Sequence, residues 1–381
     1  MNSLVSPKDF LNLEGKAYLY TAAECPLLVQ SAEALMIYAS MKAEAEQGRK
    51  HHDQIATTCR ASVAALFSAT PEEIAFLGSA SDAINAVAGT FVFEPGDNVV
   101  INDLEFSSVA LPWMRLRAQG LEVRVVHHQN WEIPTDLLLG AVDDKTRLVA
   151  LSHVSYVNGW RHDVAAVAAA LATTNAKFLL DVTQSAGIFP IDATRADFVV
   201  SSTYKWLLGT HWLGILYVNK DRSALPEPRS IGWYSLSSAF AADPYERYAL
   251  REGAGQFEAG YLNFPAIYAL NVSLPYLYAL ETEVVVSHVH GLGDELIAGL
   301  NHLDLTVTTP ERHSDRGSSV TFLHHDAERI GSLLARQGIH VWGGDGRVRA
   351  SPNVFNCSDD IIVLLDALAT ILTGSKKEAL V

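Results

Sequence analysis

The sequence predicts an α/β fold: a large doubly wound domain with a seven-stranded, mostly parallel sheet, followed by a smaller C-terminal α+β domain. Three observations predict it. Seven short β-rich apolar runs recur through the first 218 residues: Ile74–Leu77, Val99–Asn102, Val123–Val126, Leu148–Ser152, Phe178–Val182, Phe198–Ser202 and Gly214–Val218. Most are continuous rather than alternating, the pattern of strands covered on both faces. Helix-like segments such as 82-DAINAVAGTF-91 and 163-DVAAVAAALATT-174 lie between them, and alternating strand and helix builds a doubly wound sheet. Asp163 is a good N-cap for the second helix.

Beyond residue 225 the pattern changes. Pro226, Pro228 and Pro244 mark loops, and a helix-like stretch runs from Pro265 to about His290. The segments 305-LTVTTP-310, 318-SSVTFLHH-325 and 347-RVRASP-352 alternate like antiparallel strands, and 359-DDIIVLLDALATIL-372 reads as a closing helix. The expected organisation is a large domain over 18–260, with 1–17 and 261–381 forming an N-terminal segment and the smaller domain.

At 381 residues, 49% hydrophobic and 19% charged, the chain has a globular composition. A net charge of −15 disfavours a nucleic-acid partner, since no basic stripe exists to displace counterions from a phosphate backbone. Cys25, Cys59 and Cys357 are far apart and odd in number, which gives neither a disulfide framework nor a metal spacing. Reduced thiols and a cytoplasmic location are the simplest expectation. MNSLVSPKDF has no basic region leading into an apolar core, and no apolar run reaches bilayer length.

The chemistry gathers at strand ends, where ligands of open α/β sheets sit. After Ile74–Leu77, 78-GSASDAIN-85 leads into a helix whose free N–H groups and dipole suit a phosphate; a plain N-cap is the competing reading. Asp181 closes an apolar strand, where a charge is costly unless paired, and Gln184 follows closely. Lys205 lies just past another strand, among Ser202, Thr203 and Tyr204. Arg349 stands in the small domain, and arginine can grip a carboxylate with two parallel hydrogen bonds. Each alone has a bland alternative: a turn lysine, a structural Asp, a surface Arg. Together they are what pyridoxal 5′-phosphate (PLP) requires: a phosphate cradle, an anion for its pyridine nitrogen, a lysine for its aldehyde and a clamp for an amino-acid carboxylate.

Seven segments in order, 78-GSASDAIN-85, 103-DLEFSSVALPW-113, 152-SHVSYVNGWRHD-163, 181-DVTQSAG-187, 201-SSTYKWLLG-209, 257-FEAGYLNFPAIYAL-270 and 349-RASPNVFN-356, resemble the class V aminotransferase family of fold-type I PLP-dependent enzymes. That family includes cysteine desulfurases, selenocysteine lyases and isopenicillin-N-epimerase-like proteins. The resemblance runs from about Tyr18 to the C-terminus. It implies that Lys205 is the Schiff-base lysine, that Asp181 faces the pyridine nitrogen and that Gln184 bonds the ring's phenolic oxygen. Ala80 and Ser81 hold the phosphate, with Ser202 and Tyr204 at further phosphate positions. Phe106 stacks on the ring, and Arg349 takes the substrate carboxylate. Tyr156 stands where desulfurases carry a substrate-contacting Asn, with Asn158 two residues on. The resemblance also implies a homodimer with its active site at the subunit interface, where Tyr261 replaces a small hydroxyl residue facing the partner's phosphate.

The desulfurase loop that bears a reactive cysteine is short here, 338-GIHVWGGDGRVR-349, and holds none. The implied function is PLP-dependent action on an amino acid or amine through an external aldimine and quinonoid, by transamination or C–S/β-elimination, with epimerisation as the alternative. No metal is expected. A non-catalytic protein that keeps the fold for partner binding would be marked by loss of Lys205 or Asp181, and both are present. A nucleotide-binding protein would need a G-x-x-x-x-G-K-[ST] or G-x-G-x-x-G loop, and neither occurs. Trp160, His162, His211, Trp233 and Trp342 read as pocket lining or packing, His153 as a core histidine, and 51-HH-52 as surface or substrate-access polarity.

Overall fold

The computed structural model describes residues 1–221, 227–238 and 246–378; Pro226 and Pro244 lie outside them. A two-residue strand β1 (Ala17–Tyr18) precedes the large sheet. That sheet contains β2 (Ile74–Leu77), β3 (Asn98–Asn102), β4 (Glu122–Val126), β5 (Thr146–Ser152), β6 (Lys177–Asp181), β7 (Phe198–Ser202) and β8 (Gly214–Val218). Its order is β2-β8-β7-β6-β5-β3-β4. The five strands from β7 to β4 are parallel, and β8 runs antiparallel to both β7 and β2. All seven expected strands are present; six are buried along nearly their whole length, and β4, at the sheet edge, is partly exposed at Glu122, Arg124 and Val125.

Two apolar layers sandwich the sheet. One joins its inner positions, such as Val149, Leu151 and Leu180, to Val63 of the helix Ala45–Leu66, to Phe67 just past its end and to Ile267 and Leu270 of the helix Phe264–Tyr278. The other packs Ile84 and Val87 of the helix Ala80–Thr90 and Trp113 of the helix Ser107–Leu116 against Ile101 and Val200. The helix Val164–Leu171 is capped as expected: Asp163 Oδ1 accepts the Ala166 N–H at 2.9 Å.

A separate core forms between Leu292–Leu300, Val320–Phe322, Ile330–Leu334 and Ile361–Leu368. Its sheet is three-stranded and antiparallel, with order β11-β12-β9: β9 (Val320–Leu323), β11 (Trp342–Gly344) and β12 (Arg347–Ala350). The short strand β10 (Ile339–His340) stands outside it and pairs in parallel with β1. Three expectations need correction. The stretch 265–290 is two helices, Phe264–Tyr278 and Thr282–His302, broken at Ala279–Glu281; an apolar face continued across the break conceals it in sequence. The segment 305–310 makes only one bridge, Val307 to Phe322, instead of a strand. His52 is buried, with Nδ1 2.9 Å from the Tyr268 hydroxyl and its ring 5.2 Å from that of Phe264, so it belongs to the core and not the surface.

Candidate active site

Parallel pairing of β6 with β7 brings two strand ends together. Asp181 closes β6 opposite Val200, and two residues past the end of β7 the chain bends to Lys205. The turn is tight. Leu208 takes a left-handed φ of 56°, and Gly209 packs closely: a Cβ there would stand 3.0 Å from the Thr203 carbonyl oxygen. Thr183 Oγ1 accepts the Ser202 N–H at 3.0 Å and locks the two strand ends. Lys205 and Asp181 are both buried and line one cavity.

The same cavity is lined by Ala80, Ser81, Phe106, Tyr156, Gln184, Ser202 and Tyr204. Nine of the eleven residues singled out from sequence thus meet there. Ala80 and Ser81 are the first residues of the helix Ala80–Thr90, capped by Ser79, whose Oγ accepts the Asp82 N–H at 3.0 Å. The N-cap reading and the phosphate reading therefore coexist, since capping uses the Asp82 N–H and leaves the first turn's other donors. Ser81 Oγ lies 2.6 Å from Ser108 Oγ, so Ser108 joins the hydroxyl cluster, a residue the sequence reading quoted without singling out. The start of β8 presses on this loop: a Cβ on Gly214 would lie 2.2 Å from the Ser79 carbonyl carbon.

Phe106 and Tyr156 form one wall, their rings 5.0 Å apart and edge to face, with Lys205 Nζ 5.4 Å from the Phe106 centroid. Arg349 reaches the site from β12, where Nη1 donates to the Tyr156 carbonyl and Nε is buried without a hydrogen-bond partner. Gln184 Oε1 accepts from Trp206 Nε1 at 2.7 Å and Nε2 donates to the Ala22 carbonyl at 3.0 Å, which leaves that amide one further hydrogen. Tyr204 stacks on His211, ring centroids 4.2 Å apart, and His211 pairs with Glu24.

Asn158 is not brought to the cavity. It is wholly buried, with Nδ2 donating to the carbonyls of Trp131 and Thr308 and Oδ1 accepting the Trp160 N–H. Its amide ties the β5 loop to the small domain and is used up doing so. His162 is buried and His153 half-buried, and desolvation holds both imidazoles down at about 3, which makes them neutral. Trp160 is buried beside His162, whereas Trp233 is partly exposed against Tyr261.

Electrostatics favour reactive forms. Burial, then the charge of Arg349, brings the Lys205 ammonium down to about 8, with Asp181 and Glu24 opposing. Burial pushes the Asp181 carboxyl up, while the Thr183 N–H, 2.8 Å from Oδ1, and Lys205 pull it down. Sequence reading missed Glu105. It is held by the Ser152 N–H at 2.9 Å, the Ser152 hydroxyl and Asn102 Nδ2 at 2.6 Å. Burial raises it to about 7, with Asp181 adding repulsion. The signal was a charged residue three positions past the fully buried strand Asn98–Asn102.

Larger hollows exist, one of about 600 Å³ beside Phe189 and His290, but among the described residues only the cavity at Lys205 joins an amine, a buried carboxylate and a helix start. No group of His, Cys, Asp and Glu among those residues could hold a metal ion, and none of the described helices is long and apolar enough to cross a membrane.

A family model described as aminotransferase class-V matches residues 17–361. The chain is 28% identical over 391 aligned positions to a probable cysteine desulfurase of Methanothermobacter thermautotrophicus, covering 96% of each. Its fold matches the apo structure of a cysteine desulfurase from Thermococcus onnurineus NA1, with TM-score 0.89 and 23% identity, over 98% of this chain and 100% of that one. It also matches, with TM-score 0.87 and 22% identity over 96% of this chain and 99% of the other, a C-DES mutant with glycine covalently linked to its PLP cofactor.

Proposed function

The chain belongs to the class-V aminotransferase family, and from that premise we propose that it is a PLP-dependent enzyme acting on an amino acid by transamination or by C–S/β-elimination. The observation that carries this reading is the burial of Lys205 and Asp181 on one cavity, with the lysine brought down to about 8.

The residues fit the cofactor. The first-turn donors of the helix Ala80–Thr90, with Ser81 and Ser202, offer a phosphate site. Asp181, buried and without an arginine among its charge partners, matches a cationic pyridine nitrogen, whose arrival would favour the ionised carboxylate. Gln184 has its remaining amide hydrogen to donate, and Phe106 supplies an aromatic face. When bound, PLP contributes an aldehyde for an amine and a ring that withdraws electrons from the substrate carbon.

The protein's own part is positioning and proton transfer. With Lys205 at about 8, a useful fraction is neutral near pH 7, so Nζ would be the group that holds the cofactor's aldehyde and that takes or returns a proton. Arg349 is fully buried with an unpartnered Nε, and a substrate carboxylate would supply its missing acceptor and fix which bond at the substrate carbon is aligned. The rings of Phe106 and Tyr156 would flank that carbon.

Relatives named as cysteine desulfurases invite the question of a sulfur-carrying cysteine. Cys25 and Cys59 are buried with their thiols pushed far up by desolvation, which makes both poor nucleophiles. Cys357, partly buried, lies beyond Arg349 and its N–H is held by Asp360. These positions support chemistry without a persulfide on the protein. Two-base epimerisation is less favoured, because the lining of the cavity contains no second amine or imidazole.

A homodimer is part of the same reading. Trp212 and Tyr261 are exposed beside Gly78 and Asp82 at the start of the phosphate-site helix, a place where a second copy would cover them. An amino-acid panel scored for keto acid, pyruvate with sulfide, and inverted product tests the reaction type. Product from none of the panel in PLP-saturated protein would overturn the enzymatic reading.

A further inference from the structure

Two arginines of β12, not one, stand against Tyr156, which lines the cavity. Residues 347 and 349 lie on one face of the strand, since side chains alternate, and their neighbours Val348 and Ala350 point into the small-domain core. Arg349 stands opposite Trp342 in register. The Trp342 ring has Arg347 Cζ at 4.9 Å and Arg349 Cζ at 5.3 Å. Tyr156 is clasped by both: its carbonyl accepts from Arg349, and its ring lies 5.5 Å from Arg347 Cζ.

Arg347 is 8% exposed, and its Nε and Nη2 are buried with no hydrogen-bond partner. Among the described residues its carboxylate neighbour is Asp345, 3.4 Å from Nη2, an ion pair without a hydrogen bond whose carboxylate side chain is 71% exposed. Arg349 gains no carboxylate at all among the groups that shift it; burial and the charge of Arg347 bring it down to about 10. Two adjacent buried cations that repel one another are costly without anions to satisfy them. One anion is accounted for by the α-carboxylate of an amino acid at Arg349. Nothing in the proposed function uses Arg347.

We infer that the substrate is an amino acid with a second oxyanion on its side chain, and that Arg347 recognises that group. This rests on the reading of the site as an amino-acid site. Two residues along a strand span about 7 Å, and the guanidiniums converge on the Trp342 ring from that spacing, so the skeleton of an aspartate- or glutamate-sized molecule can bridge them. The flanking rings of Tyr156 and Trp342 hold Arg347 flat and already desolvated, which favours the planar, two-bond grip on a carboxylate that lysine cannot reproduce.

The test uses PLP-loaded protein and calorimetric titration with succinate and glutarate against butyrate, probes that bind without turnover. Wild-type protein should bind the dicarboxylates about tenfold to a hundredfold more tightly, the range expected for a hydrogen bond to a charged group. Arg347→Met should erase that preference, and Arg349→Met should weaken all three probes. Arg347→Lys should retain part of the preference, and it decides the matter if the Met variant melts early. In turnover, Arg347→Met should raise KM for glutamate or aspartate at least tenfold relative to that for alanine, with less effect on kcat. Equal binding of succinate and butyrate by wild-type protein, or a preference untouched by Arg347→Met, overturns the inference. Turnover of alanine without any dicarboxylate preference would overturn it and leave the PLP reading standing; failure of every amino acid to react would remove both.

Discussion

Glu105 grips Ser152 twice, taking its backbone N–H on Oε1 and its hydroxyl on Oε2. One residue later, His153 donates its N–H to the Asp181 carbonyl at 2.8 Å. The loop after β3 is thereby fastened to the end of β5 and, through it, to the strand that carries Asp181. Two buried carboxyl groups in one site cannot both ionise cheaply, and Glu105, at about 7 rather than its ordinary 4.5, is the one suited to keep its proton.

The first prediction follows. Between about pH 4.5 and 7 the folded protein holds a proton on Glu105 that the unfolded chain has released. Its contribution is therefore complete below 4.5 and is lost as pH rises through 7. Glu105→Gln keeps the acceptor for Ser152 and Asn102 and removes the titration. Urea unfolding of wild type should lose on the order of 2–3 kcal/mol more than the Gln variant between pH 5 and 8. Parallel pH profiles would contradict the assignment.

Arg349 and Asp181 act on Lys205 in opposite senses, the first lowering and the second raising its pKa. Arg349→Met should move the pH midpoint for PLP capture by apo-protein upward, and Asp181→Asn should move it downward. The direction of the pair, measured by capture rate against pH, is the check; shifts of the same sign would show that the charges do not reach Nζ.

Gly214 has no room for a side chain, because a Cβ would meet the Ser79 carbonyl carbon at 2.2 Å and the Ala80 nitrogen at 2.6 Å. Both are backbone atoms of the phosphate loop. Gly214→Ala should cost about 1–3 kcal/mol of stability and loosen PLP retention more than an alanine at a distant glycine such as Gly96, where a Cβ meets nothing within 4 Å. Thermal melting and cofactor dialysis read the two effects; equal PLP retention in the two variants would contradict it.

Glu258 holds the outer edge of the sheet. Its side chain is fully buried, 2.8 Å from Arg60 Nη2 and 2.8 Å from the Phe76 N–H. Glu258→Ala strands the half-buried Arg60 guanidinium and the buried Phe76 N–H, for an expected loss of about 3–5 kcal/mol. A loss below about 1 kcal/mol in urea melts would show that water replaces the carboxylate.

Most of the seven strands were readable because they are apolar runs buried on both faces, and Asp181 and Lys205 because charge at the end of such a run is conspicuous. Local pattern failed where a tertiary contact decides. Nothing in 152-SHVSYVNGWRHD-163 tells that the Asn158 amide spends itself on Trp131 and Thr308, both far away in sequence. Glu105 looked like an ordinary loop acid until Ser152 closed on it. Arg347 was visible as the strand neighbour of Arg349, but its lack of a buried counter-charge exists only once β12 faces Tyr156.

The most direct test of the account is borohydride reduction of the protein after incubation with PLP, followed by peptide mass mapping. The account predicts a loss of visible absorption and one reduced cofactor mass fixed on Lys205, absent from Lys205→Ala. A protein that takes up no PLP, or one that carries the label on a different lysine, would contradict the assignment of Lys205 and the roles built around it.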